Sequence, residues 1–533
     1  MNRYLLLCLA TALAAQQAKA QTEFANAANL WHDGAVNELY NIRYHSFNPI
    51  RLAYNSQQTT GEALVSYNLT RGDFNNAGAP DNVNNLNVQL SGLKHFERVD
   101  VSGFLHYKNT SYKNQEWNST LFLNPNNPFV LADSVTSDGN IETFAMGAAL
   151  SYRFNPKIKG GMGAGLTVGS LSDQTDPRPK TNTSRFNITA GADAMLTTAW
   201  TLGLAARIEL FSSNLSYTIV NPLINHRYFL MKGMGDYFRR SSGEDAGYQR
   251  DYKGTTFTGE LSATFKPSDS PFQNVVILSA SAGNEKATDG GSSYTFKGGD
   301  YHFTHFALKD RFMFSYNEHV LHNIIVGAEM GSGNSDWYDQ KKLTDTEHGN
   351  ISYYEVLSKT RIQKQQDMVV TAEYRFDRLA DRQPDFYASL LATLANTTLK
   401  HYNDNGLQKQ QWTNLSLNLT VGKHFTLGKG QFNAQLNAGY VMPVKDRQFA
   451  TGTNVSGSDD ITAVYVTRQF EWASAKRVCL GGFADYNFPV AKAVRLGLFC
   501  KVNSTLYEDD AQYFADFKST SLTQGEFGVY VNF

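Results

Sequence analysis

The C-terminal residues restrict most sharply what this chain can fold into. Phe527, Val529, Val531 and Phe533 alternate with Glu526, Gly528, Tyr530 and Asn532. On an extended strand successive side chains leave on opposite faces, so one face here is apolar and the other polar or small. The pattern recurs along the chain. Leu202, Leu204, Ala206, Ile208 and Leu210 alternate with Thr201, Gly203, Arg207 and Glu209, and Leu415, Leu417, Leu419 and Val421 with Asn414, Ser416, Asn418 and Thr420. Phe432, Ala434, Leu436 and Ala438 do the same against Gln431, Asn433, Gln435 and Asn437.

A soluble sandwich also alternates, but it does not require connections that are short and long in turn. Short turns are read at Phe96-Glu97, Asn155-Pro156, Thr197-Thr198, 266–271, Asn317-Glu318, 378–384, 427–429 and Pro489-Val490. Between them lie longer, Asn-, Gly- and Ser-rich stretches at 75–82, 113–140, 173–180, 216–253, 286–298, 338–365, 403–410, 445–471 and 509–518. Such a chain fits an all-β transmembrane, antiparallel up-and-down barrel, with short periplasmic turns and long outer loops. The strand count is about 18, within a range of about 14–20, and even, so that both ends lie on one side. Ile351-Tyr353 and Ile461-Val466 are strand-like runs inside presumed loops and are expected to extend strands above the membrane. In hydrocarbon every backbone polar group needs an internal partner, and a sheet supplies that only by closing. A mean hydropathy of −0.39 leaves no bundle of apolar helices as an alternative.

The N-terminus adds an address. Asn2-Arg3, the apolar run Tyr4–Ala15 and Ala18-Lys19-Ala20 read as a signal peptide (1–20) cut near Ala20-Gln21. The run is too short to span a bilayer as a helix, and Cys8 lacks the small residue expected before a lipidated cysteine. Residues 21–58, with Phe24, Leu30 and Trp31, are expected to form a periplasmic lead-in or partial plug, and 59–533 the barrel. With 48 basic and 49 acidic residues, the chain calls for no nucleic-acid partner. The expected partners are outer-membrane lipid, the barrel-assembly machinery that reads the terminal Phe527, Val529, Val531 and Phe533, and other outer-membrane uptake proteins.

Little points to catalysis. His302 and His305, and His319 and His322, are three apart, which on strands puts each pair on opposite faces. Gly331-Ser332-Gly333 lacks nucleophile-elbow spacing. Asp459-Asp460 and Asp509-Asp510 read as solvated loop acids, with weak Ca²⁺ binding as the alternative. Cys479 and Cys500 fall on opposite faces and are read as free thiols. No enzyme activity, metal or cofactor is expected. Asp193, Arg207, Glu209, Arg495, Lys501 and Glu526 are mid-strand charges expected to line the lumen.

The densest segment is His226-Arg227-Tyr228-Phe229-Leu230-Met231-Lys232-Gly233-Met234-Gly235-Asp236-Tyr237-Phe238-Arg239-Arg240, followed by Gly247-Tyr248-Gln249-Arg250-Asp251-Tyr252-Lys253-Gly254. Arg227, Tyr228, Phe229, Lys232, Asp236, Tyr237, Arg239 and Arg240 are the residues expected to constrict the lumen or meet a partner. These two runs resemble a family of Bacteroidetes outer-membrane β-barrel proteins of uncharacterised function, over nearly the whole mature chain. The resemblance implies the barrel and its membrane, and supplies no catalytic residues. The function expected is a channel or transport barrel for small polar solutes, or an accessory to an uptake system. A non-conducting surface-binding barrel and a barrel hydrolase are the alternatives. A TonB-dependent receptor is not expected, since that needs a plug of over about a hundred residues and about 22 strands.

Overall fold

The computed structural model describes residues 41–55, 59–242, 247–268, 270–290, 295–317, 319–347, 349–380, 383–404, 406–452, 461–508 and 511–533. The signal peptide and its cleavage site, Trp31 and the rest of 21–40, Glu318, Asp459-Asp460 and Asp509-Asp510 lie outside the described residues.

Among the described residues, eighteen strands close into one antiparallel barrel. In chain order the strands are β1 (Thr59–Arg71), β2 (Asn82–His95), β3 (Val99–Gln115), β4 (Leu131–Ala132), β5 (Ser137–Arg153), β6 (Ile158–Asp173) and β7 (Lys180–Met195). There follow β8 (Trp200–Thr218), β9 (Arg227–Gly233), β10 (Asp236–Ser241), β11 (Gly247–Phe265), β12 (Phe272–Asp289), β13 (Phe296–Asn317) and β14 (Val320–Asp345). The last are β15 (Ile351–Ala380), β16 (Gln383–Asn403), β17 (Gly406–Leu427), β18 (Gly430–Pro443), β19 (Arg477–Ala491), β20 (Val494–Tyr507) and β21 (Ser521–Asn532). Each barrel strand pairs with the next, and β4, β9 and β10 form a separate three-stranded sheet.

Closure joins β1 to β21, with Val65 opposite Val529 and Glu62 opposite Asn532. The chain terminus locks it: Phe533 N–H donates to the Gly61 carbonyl at 2.9 Å and Gly61 N–H to the Phe533 carbonyl at 2.8 Å. The Phe533 ring covers Gly61, where a Cβ would lie 2.4 Å from it, so any other residue there would push the terminal ring aside.

The outer wall carries an in-register row of Leu204, Leu261, Leu278, Leu308, Ala328, Val370, Leu394 and Leu415 across eight strands. Leu204 is 59% exposed and Leu261 57% exposed. Apolar side chains left outward in such a continuous belt suit a lipid neighbour rather than water.

The β2–β3, β5–β6, β7–β8, β11–β12, β13–β14, β15–β16, β17–β18 and β19–β20 turns and both barrel ends gather at one end, the turn end; the other connections gather at the loop end. Several boundaries differ from the sequence reading. β14 and β15 stay paired up to Asp345 opposite Ile351, so the connection read at 338–365 shrinks to 346–350. That hairpin rises past the apolar belt, where both faces are wet and its Asp, Lys and Thr composition looks like loop although the ladder continues. Likewise 403–410 shrinks to two residues, and the Pro489-Val490 turn moves to Lys492-Ala493, with a register shift at Pro489. Ile461–Val466 does not extend a strand: Thr462–Val466 is a helical turn running into the helix Thr467–Ser474. Phe470 of that helix packs on Trp412, Phe449 and Tyr513, while Ile461 and Tyr465 of the run pack with Trp117, Phe229 and Met231, and that burial overrides the β-propensity of the run. Cys479 sits opposite Thr505 and Cys500 opposite Ala484, on different faces, and both are free thiols.

Candidate functional site

Polar positions of the strands converge on the lumen, and two parts of the chain enter it. At the turn end, residues 41–55 lie against the inner wall, with Arg43, Asn48 and Ile50 fully buried. Asn48 caps a short 3-10 turn, Pro49–Tyr54, by accepting from Ile50 N–H, and Pro49 fits its first turn because it has no N–H to satisfy. The turn presents Pro49 and Ile50 to Gly161 of β6, where a Cβ would meet Pro49 at 3.0 Å.

The rest of this contact is polar. Arg43 pairs with Asp193 of β7 at 2.5 Å and donates to Thr264 of β11 at 2.8 Å. Asp193 also accepts from Asn48 and from the Tyr54 hydroxyl at 3.0 Å. Glu260 of β11 accepts from the Ser46 hydroxyl and from Phe47 N–H at 3.0 Å. Arg207 of β8 lies 4.6 Å over the Phe47 ring, and Arg311 of β13 donates to the Asn41 carbonyl at 2.9 Å. Charge-assisted bonds of this kind are strong once withdrawn from water.

His45 belongs to the same segment. Burial, together with Lys309 and Arg311, lowers its pKa from the usual 6.5 to about 4. The docked imidazole is therefore neutral, and above about pH 6.5 docking is insensitive to it. As pH falls from there through about 4, the released form takes up a proton that the docked form refuses. Docking then weakens by about 2 kcal/mol, allowing for the partial exposure of the ring. Amide exchange across 41–55 should rise between pH 6.5 and 4.5 in the native chain, and stay flat with pH in His45→Gln once intrinsic rates are removed.

At the loop end, the β3–β5 connection and the β9–β10 hairpin fold over the lumen. Leu131 of β4 pairs with Leu230 of β9. Phe129, Leu131, Tyr228 and Leu230 pack on inward Phe211, Leu215, Tyr217, Tyr252, Tyr301 and Trp337 of the wall. The β3–β5 connection is tied down by Arg250, which holds Asp289 through two bonds and donates to the Phe129 carbonyl at 3.1 Å. Tyr252 donates to that carbonyl at 2.9 Å and accepts from Leu131 N–H at 3.2 Å. Glu285 accepts from Asn124 and Asn127 of the same connection.

The residues expected to constrict the lumen are distributed through this closure. Tyr228 and Phe229 are buried, Phe229 against Trp117 and Tyr237. Lys232 pairs with Asp236 at 3.0 Å, and His401 of β16 reaches Asp236 at 3.1 Å. Arg240 lies over Phe238 and Phe296 and donates to Tyr354 at 3.2 Å. Arg227 and Arg239 are exposed. The stretch read as one loop, 216–253, is thus the ends of β8 and β11 around a hairpin.

Of the mid-strand charges, Asp193 and Arg207 meet the N-terminal segment, while Glu209 pairs with Arg185. Arg495 donates to Asn487 of β19 at 2.8 Å, and Lys501 faces Glu526 in register. Arg43, Glu260 and Glu285 escaped the sequence reading, because each is made important by a partner more than a hundred residues away. Arg250 lay within a segment noted for its aromatics, yet nothing local announces its pairing with Asp289. Among the described residues, no group of three or more His, Cys, Asp or Glu could hold a metal ion. His305 instead meets Glu329, and His322 stacks on Phe314 at 4.5 Å.

No curated protein matches the sequence. Among solved structures the chain is similar to the RagAB peptide transporter, at 7% identity and a TM-score of 0.43, covering 90% of this chain and 87% of that one. It is similar to the copper transporter OprC at 9% identity and a TM-score of 0.41, covering 88% and 80%. It is similar to BauA, the ferric preacinetobactin receptor from Acinetobacter baumannii, at 10% identity and a TM-score of 0.38, again covering 88% and 80%. At these scores the likeness says nothing of cargo. Residues 49–533 match a family model, and the chain belongs to that family, described as a family of unknown function, DUF6850.

Proposed function

We propose that this chain is an outer-membrane transport barrel for small polar solutes, plugged at the turn end and narrowed at the loop end. The apolar outer belt supports a bilayer setting, with the turn end periplasmic and the loop end outside. The observation that carries the transport reading is the polar seat of residues 41–55. A barrel built only as a scaffold has no need of a lumen plugged by charged and hydroxyl groups, since apolar filling of the same shape is as stable or more so. A seat made of ion pairs and hydrogen bonds can be vacated into water, where both partners are solvated again.

The test is planar-bilayer conductance of the mature chain with and without residues 41–55. The native chain is expected to be silent or nearly so, and the deletion to give steady single-channel steps. A folded deletion variant that remains silent refutes the reading. In the deletion background, replacing residues 225–242 by a short Gly-Ser linker is expected to raise the step size further. An unchanged step removes the β9–β10 hairpin as a constriction.

A second reading, a surface-binding barrel that does not conduct, is favoured by the aromatic closure of the loop end. Phe129, Leu131, Tyr228 and Leu230 are all fully buried there, as a permanent lid would be. The same deletion separates the two, because a permanent lid keeps the barrel silent whatever happens at the turn end.

A further inference from the structure

The lumen is not covered evenly. Residues 41–55 lie chiefly on the wall from β5 to β13, which is also where the lumen charges Asp193, Arg207, Glu209, Glu260 and Arg311 are. The loop-end closure reaches on to His401 of β16 and, through the helix Thr467–Ser474, to the loop ends of β17 and β20. Below that closure the middle of the wall from β17 through β21 to β2 faces the lumen, and its chemistry is different. One in-register layer reads Thr420, Asn437, Gly481, Asn503, Gln524 and Thr70 across six strands. The next reads Gln435, Phe483, Lys501, Glu526, Asn68 and Asn85, with its two charges directly opposite each other. Asn437 and Asn503 flank Gly481 so closely that a Cβ there would lie 2.4 Å from one amide oxygen and 2.2 Å from the other. Among the described residues, the amides of Asn437, Asn503 and Gln524 have no hydrogen-bond partner, and all three side chains remain at least partly exposed.

Aromatic faces adjoin these amides. Phe483 and Phe499 have ring centroids 6.3 Å apart, and Phe499 and Tyr530 the same. Tyr530 is fixed by its bond to Asp485 at 2.7 Å. At the turn end the wall leads into a cavity of about 300 Å³ between residues 41–55 and β1–β3, lined by Asn55, Glu62, Gln89, Ser91 and Phe104. Inward Phe104 is 47% exposed to that space.

Resting on the transport reading above, we infer that the β17–β2 wall is a binding surface for an uncharged, polyhydroxylated solute of the carbohydrate class. Amide side chains both donate and accept, as hydroxyl groups do, and carry no net charge. Ring faces beside them offer apolar contact to the C–H face of a sugar ring. An anion would need a cluster of Arg or Lys, and a zwitterionic peptide both charges held apart at fixed spacing; these two layers carry a single Lys and a single Glu, Lys501 and Glu526, directly opposite in register. A site built to hydrogen-bond hydroxyls also discriminates against solutes that lack them.

The experiment is saturation-transfer NMR on the full mature chain in detergent, with maltotriose, triglycine and citrate as separate probes. Maltotriose is expected to bind, and its affinity to fall about tenfold or more in Asn437→Leu/Asn503→Leu and in Phe499→Ala. Asn503→Asp, close in volume and charged, guards against loss of fold and should weaken binding as well. Lys341→Ala, on the projecting β14, should leave it unchanged. Binding of triglycine or citrate in preference to maltotriose overturns the inference, as does maltotriose binding that these substitutions leave intact, or no binding at all. The readout needs no open pore. Binding by a chain that stays silent without 41–55 would therefore refute transport while keeping the wall.

Discussion

Asp193→Ala should release residues 41–55 from the lumen and turn a nearly silent barrel into one that opens often. Arg43 is fully buried and its carboxylate partner comes from β7. Removing that partner leaves a guanidinium out of water with the Thr264 hydroxyl as its remaining side-chain acceptor. Breaking a buried pair from one side costs about 3–5 kcal/mol, far more than the net worth of the pair, because the remaining charge has lost its hydration and gained nothing. Asn48 and Tyr54 lose their acceptor in the same step. At about 1.4 kcal/mol per tenfold, the docked population should fall by roughly a hundredfold to a thousandfold. Single-channel open probability measures this directly. Arg43→Ala on the Asp193→Ala background should recover part of the docking, since the uncompensated charge is then gone. Failure of the single substitution to change either open probability or amide exchange across 41–55 would show that Pro49 and Ile50, not the ion pair, hold the segment.

Asp289→Ala should have a comparable effect at the other end, and on stability rather than on opening. Its carboxylate takes both bonds of the buried Arg250 guanidinium, which in turn holds the Phe129 carbonyl. Losing it again strands a charge, for about 3–5 kcal/mol. The β3–β5 connection would then depend on Tyr252, Glu285 and the aromatic packing of Phe129. Limited proteolysis should show cleavage within 116–136 that the native chain resists. Tyr252→Phe, which removes one donor to the same carbonyl, should cost only about 1 kcal/mol. Equal protease resistance in both variants would mean that the aromatic cluster alone fixes the connection.

The two effects differ in what unlocks them. The turn-end segment is one short piece of chain on a polar seat, so it can leave as a unit and also carries a histidine that weakens its docking in acid. The loop-end closure is knitted into the β3–β5 connection, the β9–β10 hairpin and a buried aromatic cluster, so removing one tie loosens part of it.

Much of this was legible from residue order. Alternation assigned Leu204 and Leu417 to the outside and Arg207, Tyr530 and Asn532 to the inside, because the pleat ties face to parity wherever one side meets lipid. Turn positions such as Asn155-Pro156 were legible because tight turns demand particular residues. The signal faded where its cause does. Along β14 and β15 above the apolar belt both faces meet water, so no face is marked. At Ile461–Val466 a strand-like run became helical, because the burial that decided it comes from Trp117, Phe229 and Met231. The hairpin of Arg227 to Arg240 stood out by composition, but its closeness to Trp117, Trp337 and His401 did not, since those contacts span sixty or more residues.

By itself, then, the order of residues determined that strands form, which face of each is apolar, that the barrel closes through Phe533, and where most turns fall. All of these follow from neighbours along the chain or from the two-residue period. Only the tertiary structure decided that Arg43 meets Asp193, that Arg250 holds the β3–β5 connection, and that the amide wall around Gly481 is left uncovered. Those outcomes depend on which distant side chains share a buried volume, and chain order carries no record of that volume.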